Sequence, residues 1–273
     1  MHKLALHQIT MMEGGPEGLV RFAANAGLEG VCLFTATPLN ADGGNMFPVV
    51  EPSAASSFKR LLRDHDVQII NAEYFPVVPE RDVADYLPAL ALASELGAKR
   101  IVTHIHESDR HRAEDQLSSL CQLARDNGLE VGLEFTGFAA GCNSLTRAVE
   151  WHGHIRQPNL TIAIDALHLF RTGGTLEQIQ ALDPAIIGYA QLCDGPDFHR
   201  SDDYIPEAMS RMIPGEGVFP LRDLVDLLGP HVDIDIEVPH SARQTASEAA
   251  NWAQYAISAS RELLMERQSN DPR

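Results

Sequence analysis

LTIAID, at Leu160–Asp165, is a short apolar run that ends on a carboxylate. Three further runs have the same design, namely LEVGLE at 129–134, IIGYAQ at 186–191 and VDIDIE at 232–237. Most of their residues are apolar on both faces, as expected for parallel strands that are covered by helices. The runs end on Glu134, Asp165, Gln191 and Glu237. Three carboxylates and one amide at the same end of successive strands indicate one site.

The rest of the chain alternates between short apolar runs and sequence with helical periodicity. Earlier apolar runs lie near residues 3–8, 30–34, 67–72 and 100–103, and helical sequence follows every run. Eight βα units in 273 residues predict a single (β/α)8 TIM barrel over residues 1–266, followed by a polar tail at 267–273. A doubly wound sheet is the alternative, but neither GxGxxG nor GxxxxGK[ST] follows any run.

Composition limits the classes of partner. Asp and Glu number 38 against 21 Lys and Arg, which gives a formal net charge of −17. No basic stripe of the kind that binds nucleic acid is present. No run is long enough to span a membrane, and residues 1–4 lack the pattern of a signal peptide. The four cysteines form no CxxC pair, which favours reduced thiols. We therefore predict a cytoplasmic globular protein that binds neither nucleic acid nor membrane.

The ends of the predicted strands are the candidates for chemistry, because a (β/α)8 barrel carries its active site at the C-terminal ends of its strands. All of these strand ends except one are polar: His7, Phe34, Glu73, His104, Glu134, Asp165, Gln191 and Glu237. We expect His104 and Glu73 to line a substrate pocket, the latter through a substrate hydroxyl. The oxygen donors of the last four residues suit Mg²⁺, Mn²⁺ or a similar cation.

The order of motifs resembles the xylose isomerase-like TIM barrels, the superfamily of sugar phosphate isomerases and epimerases, over almost the whole chain. The matching motifs are Leu133-Glu134, Asp165-Ala166-Leu167-His168, Gln191-Leu192-Cys193-Asp194, Pro214-Gly215-Glu216-Gly217 followed by Phe219-Pro220-Leu221, and Ile236-Glu237-Val238-Pro239. DxxH, QxxD and PGEG in this order are fairly specific for the superfamily and say little about the substrate. The resemblance implies that Glu134, Asp165, Gln191 and Glu237 are metal ligands, and that the chain self-associates.

Gln191 departs from the family pattern, since many members have His at this position. An amide oxygen in place of an imidazole makes the ligand set harder, which favours Mg²⁺ or Mn²⁺, with Co²⁺ as a further candidate, over Zn²⁺. Members that resemble 3-dehydroshikimate dehydratases also carry Gln in a similar QxxD context. Gln191 therefore says more about the subfamily to which the chain is similar than about whether the site binds a metal.

Three further residues of the motifs are expected near the substrate. His168 faces the substrate in the family and can bind a hydroxyl or shuttle a proton, the alternative being a histidine packed under its loop. Arg211 precedes the PGEG turn, where it can fix a carboxylate or phosphate by a forked contact, unless it is a surface arginine. Asp194 either contacts the ligand or orients the surroundings of Gln191.

Such a site predicts two reactions on a small polyhydroxylated carbonyl substrate. A divalent ion can chelate a carbonyl and an adjacent hydroxyl and stabilise the enediolate that forms when the neighbouring C–H loses its proton. If Glu134 removes the proton and Glu237 or His168 returns it, or the reverse, the enzyme is an isomerase or epimerase of a sugar, a sugar phosphate or a related ketone. If a β-hydroxyl leaves instead, protonated by His168, the enzyme is a dehydratase of the 3-dehydroshikimate or inosose type.

Two other classes fit the sequence less well. DNA repair enzymes of the endonuclease IV type resemble the chain at Glu134, Asp165, His168 and Glu237, but they need an Asp-x-His before the PGEG-like turn to complete a trinuclear cluster. Ser210-Arg211-Met212 stands there and cannot supply the third metal. The net charge of −17 also opposes a DNA partner. The intact ligand set opposes a non-catalytic barrel.

Overall fold

Eight parallel strands in sequential order close into a barrel. The computed structural model describes residues 2–40, 43–240 and 245–269. The strands are β1 Leu4–His7, β2 Gly30–Phe34, β3 Gln68–Glu73, β4 Arg100–Thr103, β5 Glu130–Glu134, β6 Leu160–Asp165, β7 Ile187–Leu192 and β8 Asp233–Ile236. The prediction of a (β/α)8 barrel is thus confirmed, and the doubly wound alternative is wrong, because β1 pairs with β8 and leaves no open edge.

Helices cover the outside of the barrel. They are α1 Gly15–Asn25, α2 Ala55–His65, α3 Leu87–Glu95, α4 Arg110–Asp126, α5 Leu145–Ile155, α6 Ala166–Arg171, α7 Leu176–Gln180, α8 Tyr204–Ala208, α9 Leu221–Leu227 and α10 Ala246–Ser269. At least one helix follows each strand, as predicted, and a 3-10 turn at Val83–Tyr86 precedes α3. No helix of the described residues is both long and apolar enough to cross a membrane. The helix α10 continues to Ser269, into the predicted tail, and residues 270–273 lie outside the described residues.

The lower end of the barrel is closed by an ionic network around Arg100. This buried guanidinium lies 3.0 Å from Asn71 Oδ1, 3.4 Å from Asp233 Oδ2 and 3.1 Å from Glu130 Oε2. It also lies 5.2 Å from the centre of the Tyr189 ring, within range of a cation–π contact. Because packed side chains fill this end, the space for a ligand is at the opposite end, where the strands finish.

Strand pairing groups the predicted strand ends at the top of the barrel. Asp165 of β6 is the partner of Gln191 in β7, whereas Glu134 of β5 is the partner of Ala163, two residues before Asp165. Side chains alternate in direction along a strand, so Ala163 and Asp165, and with them Glu134 and Gln191, share one face of the sheet. The strand ends therefore surround the top of the barrel at more than one level.

Candidate active site

A pocket of about 190 Å³ opens at the C-terminal ends of the strands. Seven of the predicted site residues line it: Glu73, His104, Glu134, His168, Gln191, Arg211 and Glu237. Asp165 lies directly below, fully buried, and contacts Arg211. The structure thus brings eight of the nine predicted site residues together, from six different strands and the loop before the PGEG turn.

The DxxH motif is a helix cap. Asp165 ends β6 and is the N-cap of α6, where its Oδ1 accepts a hydrogen bond of 2.8 Å from the backbone N–H of His168. This cap places His168 on the first turn of α6, with its Nε2 3.7 Å from Glu134 Oε1. The His168 Nδ1 lies 2.6 Å from the Tyr204 hydroxyl. Burial lowers the pKa of His168 to about 3, so the ring is neutral near pH 7.

Arg211 bridges two of the predicted metal ligands. Its Nη1 donates to Asp165 Oδ2 at 2.6 Å, its Nη2 lies 3.2 Å from Glu237 Oε1, and its Nε donates to the Ala208 carbonyl at 2.9 Å. Burial favours a higher pKa of Asp165, but the Arg211 charge and the hydrogen bond from His168 hold it below its usual range. Only 5% of Arg211 is exposed, so it is not a surface arginine. Its contact to a substrate carboxylate or phosphate stays a prediction.

Glu134 and Glu237 are buried carboxyl groups on separate sides of the pocket. Glu134 Oε2 lies 3.2 Å from His104 Nε2, and Glu237 Oε2 accepts a short hydrogen bond from Gln191 Nε2. Burial raises the pKa of each of these two carboxyl groups well above its ordinary value. Burial also lowers the pKa of His104 to about 4, so this ring is neutral as well.

The donor set fits a divalent cation. Atoms of Glu134, Asp165 and His168 that can act as ligands all lie within 4.8 Å of one another. The Gln191 Oε1 atom is buried and has no hydrogen-bond partner, an arrangement that a metal ion would satisfy. A cation bound among these acidic side chains would favour their charged forms, which burial alone disfavours. The residues that would hold an ion are Glu134, Asp165, Gln191 and Glu237, and His168 offers a further nitrogen.

Glu73 is held at the pocket wall by its neighbours on β1 and β2. The Cys32 thiol donates to Glu73 Oε1 at 3.0 Å, and His7 Nε2 lies 3.6 Å from the same oxygen. Burial disfavours a charged His7, but Glu237 and the contact with Glu73 raise its pKa to about 10, so the ring carries a proton on Nε2 toward Glu73. Glu73 can therefore accept a hydrogen bond from a substrate hydroxyl while its own position stays fixed.

Asp194 is the predicted site residue that lies apart from this cluster. It is buried, and its carboxylate accepts hydrogen bonds from the backbone N–H groups of Gly195, Gly215 and Phe219 at 2.9–3.0 Å. A Cβ on Gly217 would lie 2.3 Å from Asp194 Oδ1, so this glycine is required for the close approach. Asp194 thus fixes the PGEG turn, and its oxygens are occupied by that turn rather than by a ligand.

Aromatic side chains above the polar layer were not among the predicted site residues. The Phe138 ring centre lies 5.7 Å from that of His168 and 6.0 Å from that of His106. Phe34 stacks on Phe47 at 4.8 Å on the other side of the mouth. Phe47 and Phe138 lie in loops, where no periodicity marks a residue as part of a site. The Tyr204 contact to His168 joins residues 36 positions apart, and no local pattern announces it.

A family model described as xylose isomerase-like TIM barrel matches residues 20–259. No protein among those of curated function matches the sequence. Solved structures show the same fold at low sequence identity. The IolI protein, solved with a bound zinc atom, has a TM-score of 0.76 and 17% identity over 95% of this chain and 98% of its own.

Two further solved structures have the same fold. The probable 3-DHS dehydratase AsbF from Bacillus anthracis has a TM-score of 0.76 and 17% identity, over 95% of this chain and 98% of its own. The D-psicose 3-epimerase from Clostridium cellulolyticum H10, solved with D-tagatose, has a TM-score of 0.73 and 13% identity, over 96% of this chain and 99% of its own. At these identities the likeness establishes the fold and leaves the reaction open.

Proposed function

Because the chain belongs to the xylose isomerase-like TIM barrel family, we propose that it is a divalent-metal-dependent isomerase or epimerase of a polyhydroxylated carbonyl compound. The substrate is a sugar, a sugar phosphate or a related polyhydroxy ketone. The observation that carries the proposal is the pair Glu134 and Glu237, two buried carboxyl groups that face one pocket from strands three positions apart in the barrel. Such a pair can exchange protons with two faces of one substrate.

The side chains of the pocket supply the proton transfers. A divalent ion held by Glu134, Asp165, Gln191 and Glu237 would polarise the substrate carbonyl and so acidify the neighbouring C–H. Glu134 removes this proton, and His104 Nε2, 3.2 Å from its other oxygen, keeps the carboxylate oriented. Glu237 returns a proton from the other side of the pocket, fixed by Arg211 and Gln191. The apolar rings at the mouth limit the access of water to the reacting carbon.

A dehydratase is the second candidate, and the position of His168 favours it. This neutral ring faces the pocket with Nε2 3.7 Å from Glu134 Oε1, and Tyr204 holds its other nitrogen. A proton taken by Glu134 can pass to His168 and then to a leaving β-hydroxyl, which gives a C=C bond and water. The likeness to AsbF is consistent with this outcome at the level of the fold.

The test is deuterium incorporation from D₂O into a panel of ketoses, cyclic ketones and 3-dehydroshikimate. Each compound is assayed with EDTA-treated protein and after addition of Mg²⁺, Mn²⁺ or Co²⁺. We expect metal-dependent exchange next to the carbonyl, with a new ketose or aldose as product. Loss of water with a rise in ultraviolet absorbance would support the dehydratase instead. Absence of both exchange and loss of water with every compound and every metal would contradict both candidates.

The carboxyl groups are tested by two matched variants. Glu237→Gln keeps the size of the side chain but removes the group that returns the proton, so exchange should fall at least about a hundredfold. Glu216→Gln is the control, because Glu216 lies at the rim, where it accepts a hydrogen bond from Tyr255, and does not line the pocket. Equal exchange rates for the two variants would remove Glu237 from the mechanism.

A further inference from the structure

A second cavity, which we call the outer groove, adjoins the pocket. It has a volume of about 730 Å³ and is lined by residues of the loops that follow β2, β3 and β4, among them Pro38, Tyr74, Val78, Arg81, Tyr86 and His106. Pro38 and Tyr74 line both cavities. The pocket itself, at about 190 Å³, is smaller than the roughly 300–1,000 Å³ of typical small-molecule sites. Pocket and groove together reach that range.

The wall between the two cavities is built from side chains that also contact the candidate active site. The Tyr74 hydroxyl lies 2.9 Å from His106 Nε2. The Tyr74 ring packs edge-on against His104 at a centroid distance of 4.7 Å, and His104 in turn contacts Glu134. A group bound in the outer groove is therefore one side chain away from the residues that would perform proton transfer.

The groove is preformed. Val77 donates to the His104 carbonyl at 2.8 Å and accepts from the N–H of His106 at 2.8 Å, so the loops after β3 and β4 are joined by backbone hydrogen bonds. The Tyr86 hydroxyl donates to the Pro76 carbonyl at 2.9 Å, which fixes the outer wall. Binding in such a groove requires little ordering of the chain, so more of the contact energy appears as affinity.

The chemistry of the groove suits a neutral polyhydroxylated ring. Tyr74, which is partly exposed, offers an aromatic surface on which the C–H face of a sugar ring packs well. Tyr86 is only 2% exposed and supports the Arg81 guanidinium. The Arg81 guanidinium lies 4.1 Å from the centre of the Tyr86 ring, and the carboxylate of Glu80 lies at the same rim. A donor and an acceptor of opposite charge side by side can hold neighbouring hydroxyl groups. An anionic ligand would be repelled by Glu80. An apolar ligand would remove water from both charges without replacing its hydrogen bonds.

We propose that the outer groove binds the second ring of the substrate, which is thus a two-ring compound of the glycoside type. Its carbonyl-bearing ring occupies the pocket, and the attached ring lies in the groove against Tyr74 and Arg81. The inference deepens the proposed function and rests on it. It makes Tyr74 and Arg81 determinants of specificity, because they act on a part of the substrate that does not react.

The test compares one-ring and two-ring ketoses. D-fructose is assayed against 6-O-glucosyl-D-fructose and 4-O-galactosyl-D-fructose, by metal-dependent deuterium exchange and by titration calorimetry. Aromatic contacts to a second ring should raise kcat/KM and lower Kd about tenfold for at least one two-ring sugar. Equal values for both sizes, or no binding of either two-ring sugar at millimolar concentration, would overturn the inference. Deuterium exchange at equal rates with one-ring and two-ring sugars would overturn the role of the groove and leave the proposed function intact. Tighter binding of a two-ring sugar without any exchange would contradict only the proposed function.

Two variants tie the preference to the groove. Val78→Phe fills part of the groove and should bring the ratio of two-ring to one-ring kcat/KM close to one. Val218→Phe is the matched control, because Val218 is exposed and lies outside both cavities, and its ratio should equal that of the parent protein. If Val78→Phe does not fold, as judged by circular dichroism, Arg81→Ala replaces it. A ratio unchanged in the folded groove variant would assign the preference to another surface.

Discussion

The positive charge of Arg211 offsets the repulsion between neighbouring carboxylates of the site. Its guanidinium contacts both Asp165 and Glu237 in a buried environment. Arg211→Met should therefore lower the free energy of unfolding by about 3–5 kcal/mol, because two buried carboxylates lose their cation. Urea unfolding measures this. Arg147→Met, which breaks an exposed pair with Glu150, is the control and should change stability by less than about 0.5 kcal/mol. Similar losses in the two variants would contradict the pairing.

The hydroxyl group of Tyr204 fixes the orientation of the His168 ring. Tyr204→Phe leaves the buried Nδ1 without its partner at 2.6 Å, so the ring is free to turn away from Glu134. We expect the rate of deuterium exchange to fall about tenfold and the free energy of unfolding to fall by about 1–3 kcal/mol. Tyr255→Phe removes a hydroxyl on the exposed side of α10 and should keep the full rate. A normal rate in Tyr204→Phe would show that His168 needs no such support.

Sequence and structure agree best for the residues that strand geometry positions. Glu134 and Asp165 were predictable because a residue at the C-terminal end of a barrel strand lies at the end of the barrel where active sites are found. The pairing of Arg211 with Asp165 and Glu237 and the contact of Tyr204 with His168 were not predictable, since both depend on how long loops return over the barrel. The position of Asp194 depends on the same loops, whose backbone N–H groups occupy its carboxylate.

The interior of the barrel is tightly packed next to strand β5. A Cβ added at Gly132 would lie 2.7 Å from Tyr189 Cε1, inside the barrel. Gly132→Ala should therefore lower the free energy of unfolding by about 1–3 kcal/mol. Gly153→Ala in α5 meets no atom within 4 Å and should raise it by about 0.5–1 kcal/mol, because alanine favours the helix. Chemical denaturation of both variants checks the opposite signs, and a stabilised Gly132→Ala would contradict the packing.

Short elements are the part of the fold that the sequence predicted least well. The helix α6 has six residues and α8 has five, too few for a helical period to be recognised. The cap by Asp165 defines α6, but the same aspartate was interpreted only as a metal ligand. The cap is visible in the structure, whereas the role as a metal ligand stays a prediction.

The net charge of −17 acts on the whole molecule. Repulsion among surface carboxylates destabilises the compact state, and salt screens it over about 10 Å at 0.1 M. The thermal midpoint should therefore rise between low salt and 0.5 M NaCl, by about 2–4 °C for each kcal/mol gained. A scanning calorimeter provides the measurement. A midpoint that falls with salt would mean that attractive surface pairs dominate.

The central claim is that one divalent ion is held by carboxylates and an amide at the top of the barrel. Metal analysis of the dialysed protein, combined with calorimetric titration of Mn²⁺, tests it most directly. We predict about one ion per chain, with affinity lowered at least tenfold in Glu134→Gln and in Glu237→Gln and unchanged in Glu216→Gln. A protein that binds no ion, or variants at Glu134 and Glu237 that bind as tightly as their parent, would contradict the claim.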